Sequence, residues 1–350
     1  MKRILLICTL AVLANETFAQ TAFKSGSLVV LRVGDGSSAL NDAAAPVFMD
    51  EYSTKGKLIR TIAVPATNTK SNKPLTLSGN KPYEGLLSLS QDGKKLSFAG
   101  YNAAVGTPKV STMASEWIVG VMDGSGQINT NTVLSPLLKR PVTSAVTEAE
   151  NVWVSGVAPH LYHTTIGGSK VTSISSRSLR GLAIFNNQLY ASQSSLKGLS
   201  PVIQVGVGLP ATAKQRLTTL PGMPINSSLA SARQFLFADL NVSIPGDDVL
   251  YVANDTQVDG ITKYSLVDGS WVSNGTLPGR YIGVTAVISG TDVMLYAVKY
   301  GGTASKIYVI HDDTGYNGQI SRLKPKALVN APTKTMFRGI ALSPGVQDAN

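Results

Sequence analysis

The chain has almost no cysteine. Its 350 residues contain one, Cys8, and that one sits in an opening segment with the marks of an export signal. Lys2 and Arg3 precede an apolar run from Ile4 to Leu13, and Thr17-Phe18-Ala19 supplies the small-residue pattern at which such segments are cut. Cleavage is expected after Ala19, giving a signal peptide over 1–19 and a mature chain with no cysteine. Ile7 stands where a lipoprotein signal would carry a small residue before Cys8. Disulfides, thiolate catalysis and cysteine-ligated metals are thereby excluded together from the mature chain.

Long apolar runs are also missing. No stretch after the signal approaches the roughly 20 apolar residues of a membrane-spanning helix, so the mature protein is expected to be secreted or periplasmic, with no membrane span. Charged residues make up only 15% of the chain, while Gly, Ser, Thr and Val are abundant, which favours strands joined by tight turns over helices. The formal charge is +10. Losing Lys2, Arg3 and Glu16 with the signal lowers it to +9. A basic exported chain fits contact with an anionic ligand or a polymer of the cell envelope or matrix, and equally a generally basic soluble surface. Nucleic acid is not the expected partner, because the basic residues are scattered over many turns instead of gathered on one element with stacking aromatics.

No long segment keeps a helical period. Short apolar or alternating runs recur instead, among them "SLVVLRVGDG", "KKLSFAGYN", "NVWVSGVAP", "DVLYVAND" and "VMLYAVKYGG", each closed by turn residues. Taking "FRGIALS" near the end as a template, "LRGLAIF" (179–185) and "YEGLLSL" (83–89) align with it. "YIGVTAV" (281–287), "ARQFLFA" (232–238) and "VTSAVTE" (142–148) follow more loosely. Each opening precedes a turn and a second strand, and successive openings are separated by about 50 residues, the period of four-stranded propeller blades. "TTLPGMP" and "GTLPGRY" recur before two of the openings.

The two ends of the chain complete the pattern. Residues 27–64 supply three strands without an opening strand, and "MFRGIALS" is an opening strand with nothing after it. Together they make one more blade. The expectation is an all-β fold: a single β-propeller domain over 20–350 with six four-stranded blades, closed by pairing the C-terminal strand with the three N-terminal ones. Seven blades would follow if Ala103–Ser115 or Thr67–Lys81 held a further strand, and two stacked β-sandwiches are the alternative architecture.

In a propeller the innermost strands begin around one mouth of the central channel. The same column of the repeat reads Glu84, Thr143, Arg180, Arg233, Ile282 and Arg338. Arg180, Arg233 and Arg338 with Glu84 form the candidate ligand site, since guanidinium forks suit carboxylate, sulfate or phosphate groups. The competing reading is a plug, in which these charges satisfy one another and nearby carbonyls.

Other patterns carry less. The pairs Asp35-Gly36, Asp92-Gly93, Asp123-Gly124 and Asp268-Gly269 lack the alternating oxygen ligands of a calcium loop and read as turns. The acidic loop "HDDTGYNG" (311–318) ends in a turn signal, and "HLYH" (His160, His163) puts its histidines on opposite faces of a strand. No metal and no cofactor is expected. No Gly-x-Ser-x-Gly elbow is present, "GVGLPA" (206–211) is interrupted by Pro210, and Glu148 and Glu150 sit at a strand end facing water.

With these motifs in place, "GSLVVLRVGDGSSALNDAAAPVFMDEYSTKG", "LSGNKPYEGLLSLSQDGKKLSFAGYNAAVGT", "FLFADLNVSIPGDDVLYVAND" and "FRGIALSPG" resemble an uncharacterised family of secreted bacterial β-propeller-like proteins. The resemblance runs over nearly the whole mature chain and implies the fold and export. It supplies no activity and no catalytic residues. Members of that family often carry C-terminal surface-anchoring or sorting segments, and this chain stops shortly after its closing strand. The functional expectation is an exported binding module for an anionic saccharide, peptide or envelope component. The alternatives are a lactonase-like or polysaccharide-cleaving propeller enzyme and a purely structural envelope or matrix protein.

Overall fold

A computed structural model describes residues 22–114, 116–135, 140–157, 160–193, 198–225, 231–302 and 304–345. The expected export signal lies outside the described residues.

Six antiparallel four-stranded sheets surround a central axis as the blades of a propeller. Blade 1 joins the two ends of the chain, running from its innermost strand outward as Met336–Leu342, Leu28–Val33, Val47–Tyr52 and Leu58–Ala63. Blade 2 has inner strand Ser88–Leu89, then Lys95–Tyr101, Trp117–Asp123 and Ile128–Leu134. Blades 3 and 4 open at Val142–Glu148 and Leu182–Phe185. Blades 5 and 6 open at Ala232–Ala238 and Tyr281–Ser289. Neighbouring inner strands pack side by side around the ring.

The closing pairing is antiparallel, from Leu28 opposite Leu342 to Val33 opposite Met336. Past the ladder, the Ser343 N–H donates to the Ser27 carbonyl (2.8 Å) and Ser343 Oγ to the Lys24 carbonyl (3.0 Å). The segments weighed as a seventh blade hold none. Residues 110–113 form a single helical turn, and Leu77–Ser78 pairs only with Ala44–Ala45 in a two-stranded ribbon.

The core lies between the blades. A strand's side chains alternate faces, so each buried strand serves two interblade layers. Val29, Leu31 and Val33 pack toward blade 2, while Leu28 and Val30 pack toward blade 6. In blade 5, Tyr251 and Ala253 face blade 6 while Leu250 and Val252 face blade 4. This explains why so many runs read as continuously apolar, since both faces of the sheet are covered. The indoles that end up in these layers find acceptors: Trp117 Nε1 donates to the Arg140 carbonyl (2.9 Å) and Trp153 Nε1 to that of Pro210 (2.7 Å).

The aspartate-glycine pairs are turns. Asp268 and Gly269 both have positive φ (47° and 74°) and link the paired residues Val267 and Ser270 in a two-residue hairpin. Asp35 and Asp123 bind their own turns, accepting from Ser37 and Ser125 respectively. Asp312, in the acidic loop, is ion-paired with Lys263 at 2.9 Å. Among the described residues no cluster of three His, Cys, Asp or Glu forms a metal-binding group, and no helix is long and apolar enough to cross a membrane.

Candidate functional site

Four of the column residues owe their placement to β-bulges. In blade 1, Phe337 pairs with Arg32 and Ile340 with Val30, so Arg338 and Gly339 together oppose Leu31. Arg233 and Gln234 in blade 5 likewise oppose Ala253, and Thr143 and Ile282 are the extra residues in blades 3 and 6. In blade 4 both Arg180 and Gly181 bond to Ser192. An extra residue bends its strand and re-aims its side chain. In this way a ladder residue becomes a residue of the channel mouth.

The bulged segments crowd together, which accounts for the glycine beside several column residues. A Cβ on Gly339 would stand 2.3 Å from the Leu87 backbone nitrogen, and one on Gly181 would stand 2.4 Å from the Arg233 carbonyl oxygen. The Gly339 N–H donates to the Gly85 carbonyl, and the Leu86 N–H to that of Thr143. Serines on second strands cap carbonyls of the bulged segments: Ser155 Oγ donates to Arg180 O (2.6 Å) and Ser192 Oγ to Arg233 O (2.5 Å).

Gln234 divides the channel. Its Nε2 donates to the carbonyls of Leu87 (2.8 Å) and Ile340 (2.9 Å), and its Oε1 accepts from the Ile340 N–H (3.0 Å). One amide from blade 5 therefore ties blades 1 and 2 across the axis. Beyond it lies a cavity of about 340 Å³ lined by residues such as Leu182, Phe185, Phe237 and Ala286, with Gln91 and Asp247 at its edge. The arginines lie on the other side.

On that side the four candidate residues separate into two pairs. Arg338 and Glu84 are fully buried. Arg338 Nη2 donates to the carbonyls of Gly79 (2.8 Å) and Ser78 (3.3 Å), tying the closing strand to the loop before Glu84. Burial pulls its guanidinium down to about 10, with Glu84 acting the other way. Glu84 accepts from the Ser78 N–H (2.9 Å), Ser78 Oγ (3.0 Å) and Tyr101 Oη (2.8 Å). Burial nevertheless pushes its carboxyl up to about 7, against those bonds and the nearby Arg338.

This shift gives a pH dependence. The folded chain holds the Glu84 proton more tightly than the unfolded chain, whose carboxyl sits near 4.5. The contribution is therefore complete below about pH 4.5 and is lost as pH rises through about 7. A shift of this size corresponds to about 3 kcal/mol. Glu84→Gln is expected to flatten the thermal midpoint measured from pH 4.5 to 8. An undiminished slope in that variant would assign the titration to another group.

Arg180 and Arg233 form the second pair, both near the Tyr83 ring. Their Cζ atoms lie 5.6 and 5.9 Å from its ring centroid. Arg233 is 5% exposed, and its Nη2 donates to Asp255 Oδ2 (3.0 Å). Its Nε and Nη1 have no hydrogen-bond partner among the described residues. Burial lowers the Arg233 guanidinium from its ordinary range, and Asp255 opposes that. Burial, then the charge of Arg233, brings Arg180 down to about 10. Asp255 Oδ1 accepts a second guanidinium, Arg280 Nε at 3.1 Å, which also lies over Tyr300. Burial raises the Tyr83 hydroxyl, as does Glu84.

Sequence reasoning missed Tyr83, Asp255 and Arg280. The signal was topological: in an antiparallel hairpin the end of the second strand lies beside the start of the first. Asp255, just after Val249–Asn254, and Arg280, just before Tyr281–Ser289, are therefore brought to the mouth. Several residues set aside on sequence have partners of their own. Glu148 accepts from the Gln91 N–H (2.9 Å), whereas Glu150 lies 3.5 Å from Lys95. His163 Nε2 bonds Asn151 (2.9 Å) and His311 Nε2 pairs with Asp292 (2.6 Å).

No family model matches the chain, and no curated protein matches it in sequence. Two solved structures are similar in fold. One is a protein of unknown function from Bacteroides thetaiotaomicron, 11% identical with a TM-score of 0.46, covering 82% of this chain and 73% of that one. The other is the hydrazine synthase of Kuenenia stuttgartiensis, 10% identical with a TM-score of 0.44, covering 75% and 69%. Likenesses at this level assign no activity.

Proposed function

We propose that the protein is an exported binding module whose propeller mouth at Tyr83 holds the anionic group of a saccharide, peptide or envelope component. The observation that carries this reading is Arg233. A guanidinium almost wholly withdrawn from water, with Nε and Nη1 lacking acceptors among the described residues, costs about 1–3 kcal/mol for each polar group left unsatisfied. A ligand oxygen at the mouth would recover part of that cost. Arg338 and Glu84 fit a different role: both are engaged within the fold, and they behave as the plug behind the site.

A propeller hydrolase or lyase would need free carboxyls at the same mouth. Glu84 is closed in by Ser78 and Tyr101, and Asp255 is held between two arginines, so the binding reading is favoured. The test is a glycan and anion screen of the purified mature chain, followed by titration calorimetry. Arg233→Met keeps the apolar stem and removes the charge, and it is expected to weaken binding by about 30-fold or more. Unaltered affinity in a variant that melts normally would place the ligand elsewhere on the propeller.

A further inference from the structure

We infer that the cavity bordered by Gln234 is a second ligand site, and that it takes a primary ammonium ion carrying one aromatic body. The cavity is lined by later residues of the inner strands, among them Phe185, Phe237 and Ile288, whereas the column arginines stand near strand beginnings. At about 340 Å³ it exceeds the voids of a close-packed interior, and a cavity of about 150 Å³ already holds benzene. One wall is aromatic. Phe185 and Phe237 meet edge to face with centroids 5.0 Å apart, and Phe235 meets Phe237 at 6.1 Å and 90°. The buried polar side chains of the lining are already committed: Gln234 across the blades, Ser88 Oγ to the Leu182 carbonyl (2.6 Å) and Ser90 Oγ to Asp92 (2.6 Å). The interior therefore offers a ligand chiefly apolar surface.

The rim has the opposite character. It is made by the connections after the inner strands of blades 2, 4 and 5, which bring Gln91, Asn186 and Asp247 to the cavity edge. Asn186 and Asn187, with φ of 48° and 57°, form a two-residue hairpin turn. From it the Asn187 N–H donates to Gln91 Oε1 (2.6 Å) and Asn186 Nδ2 to Asp247 Oδ2 (2.8 Å). The turn thus holds an amide oxygen and a carboxylate at one opening, and Asn186 Oδ1 adds a third acceptor. No Lys, Arg or His is among the described lining residues. Burial, then the neighbouring Asp239 and Asp248, push the Asp247 carboxyl up, so the field at the opening is negative. An ammonium group carries three protons and no acceptor, which matches the three oxygens, and its charge would offset the repulsion among the aspartates. A neutral donor would satisfy the oxygens without that gain, and an anion would be repelled.

The experiment is titration calorimetry on the mature chain with 2-phenylethylamine, its neutral counterpart 2-phenylethanol, and methylamine. The amine is expected to bind at least about tenfold more tightly than the alcohol, through its charge-assisted bonds. Methylamine, which lacks the ring, should bind at least about 30-fold more weakly than 2-phenylethylamine. Asp247→Asn keeps the size and one acceptor oxygen, and should bring amine and alcohol to within about twofold of each other. Ala286→Leu fills part of the cavity and should weaken both by about tenfold, with thermal melts to show that each variant folds. If Ala286→Leu does not fold, the comparison in Asp247→Asn decides. Equal affinities of amine and alcohol, or a preference that survives Asp247→Asn, would overturn the inference. So would an amine that fails to bind, or one that binds a normally melting Ala286→Leu variant undiminished. No arginine is among the described lining residues, so the result does not depend on the anion site at the other mouth.

Discussion

A chain ending at Lys334 is expected to lose cooperative folding, and a synthetic peptide of residues 333–345 is expected to restore it. The removed strand, Met336–Leu342, is the inner strand of blade 1 and is buried almost along its whole length. Met336, Phe337 and Ile340 each contribute about 2 kcal/mol of apolar burial. Their sum approaches the whole stability of an ordinary domain. The deletion also exposes the Leu28–Val33 ladder and frees the Ser78–Gly79 carbonyls held by Arg338. Thermal melts followed by near-ultraviolet circular dichroism would report the loss. Peptide addition supplies the missing ladder in trans, as strand addition does at other sheet edges. A truncated chain that melts as sharply as the full one would mean that closure contributes little.

Asp312→Ala should cost about 3–5 kcal/mol, because it strands a buried ammonium group. Lys263 and Asp312 have side-chain exposures of 0% and 1%. All three protons of Lys263 are used, on Asp312 (2.9 Å), Thr314 Oγ1 (3.0 Å) and the Gly315 carbonyl (2.6 Å). Asp312 in turn accepts from Tyr251 Oη (2.6 Å) and from Thr314 Oγ1 (2.6 Å). Burial works against the charged form of Asp312, but these bonds outweigh it and hold its carboxyl below the usual range. The network joins the middle strands of blade 5 to the loop after the third strand of blade 6. Urea melts of the single variants and of Lys263→Met/Asp312→Ala form a double-mutant cycle. The double variant is expected to recover much of the loss, since it leaves no buried charge behind. A double variant as unstable as the sum of the singles would show that the two residues act independently.

The same two elements mark what could be read in advance. The closing strand was legible because "MFRGIALS" matches the other openings and the N-terminal strands lack one. The Lys263–Asp312 pair was not. Its partners stand 49 residues apart, and nothing in either local sequence distinguishes them from solvated charges. The acidic loop drew attention for its aspartates, yet its neutralising charge comes from another blade.

The candidate site divides in the same way. The column Glu84, Thr143, Arg180, Arg233, Ile282 and Arg338 followed from the repeat, which fixes equivalent positions whatever occupies them. The repeat could not tell that Arg338 and Glu84 would be buried against Ser78, Gly79 and Tyr101 while Arg180 and Arg233 approach the Tyr83 ring. That depends on bulges and on glycines that admit a neighbouring backbone, and both vary from blade to blade. Asp255 and Arg280 belong to no column of the inner strand, so the repeat was silent about them.

By itself, then, the sequence determined the blade repeat, the strand order within it and the way the ring closes, because periodic burial on two faces is written into each strand, while the choice of six blades over seven waited for the structure. Only the tertiary structure decided which arginines meet, which carboxyl burial pushes toward its neutral form and where Gln234 crosses between blades. Those outcomes arise from desolvation and contact between blades, and both appear only once segments distant in the chain are brought within a few ångströms of one another.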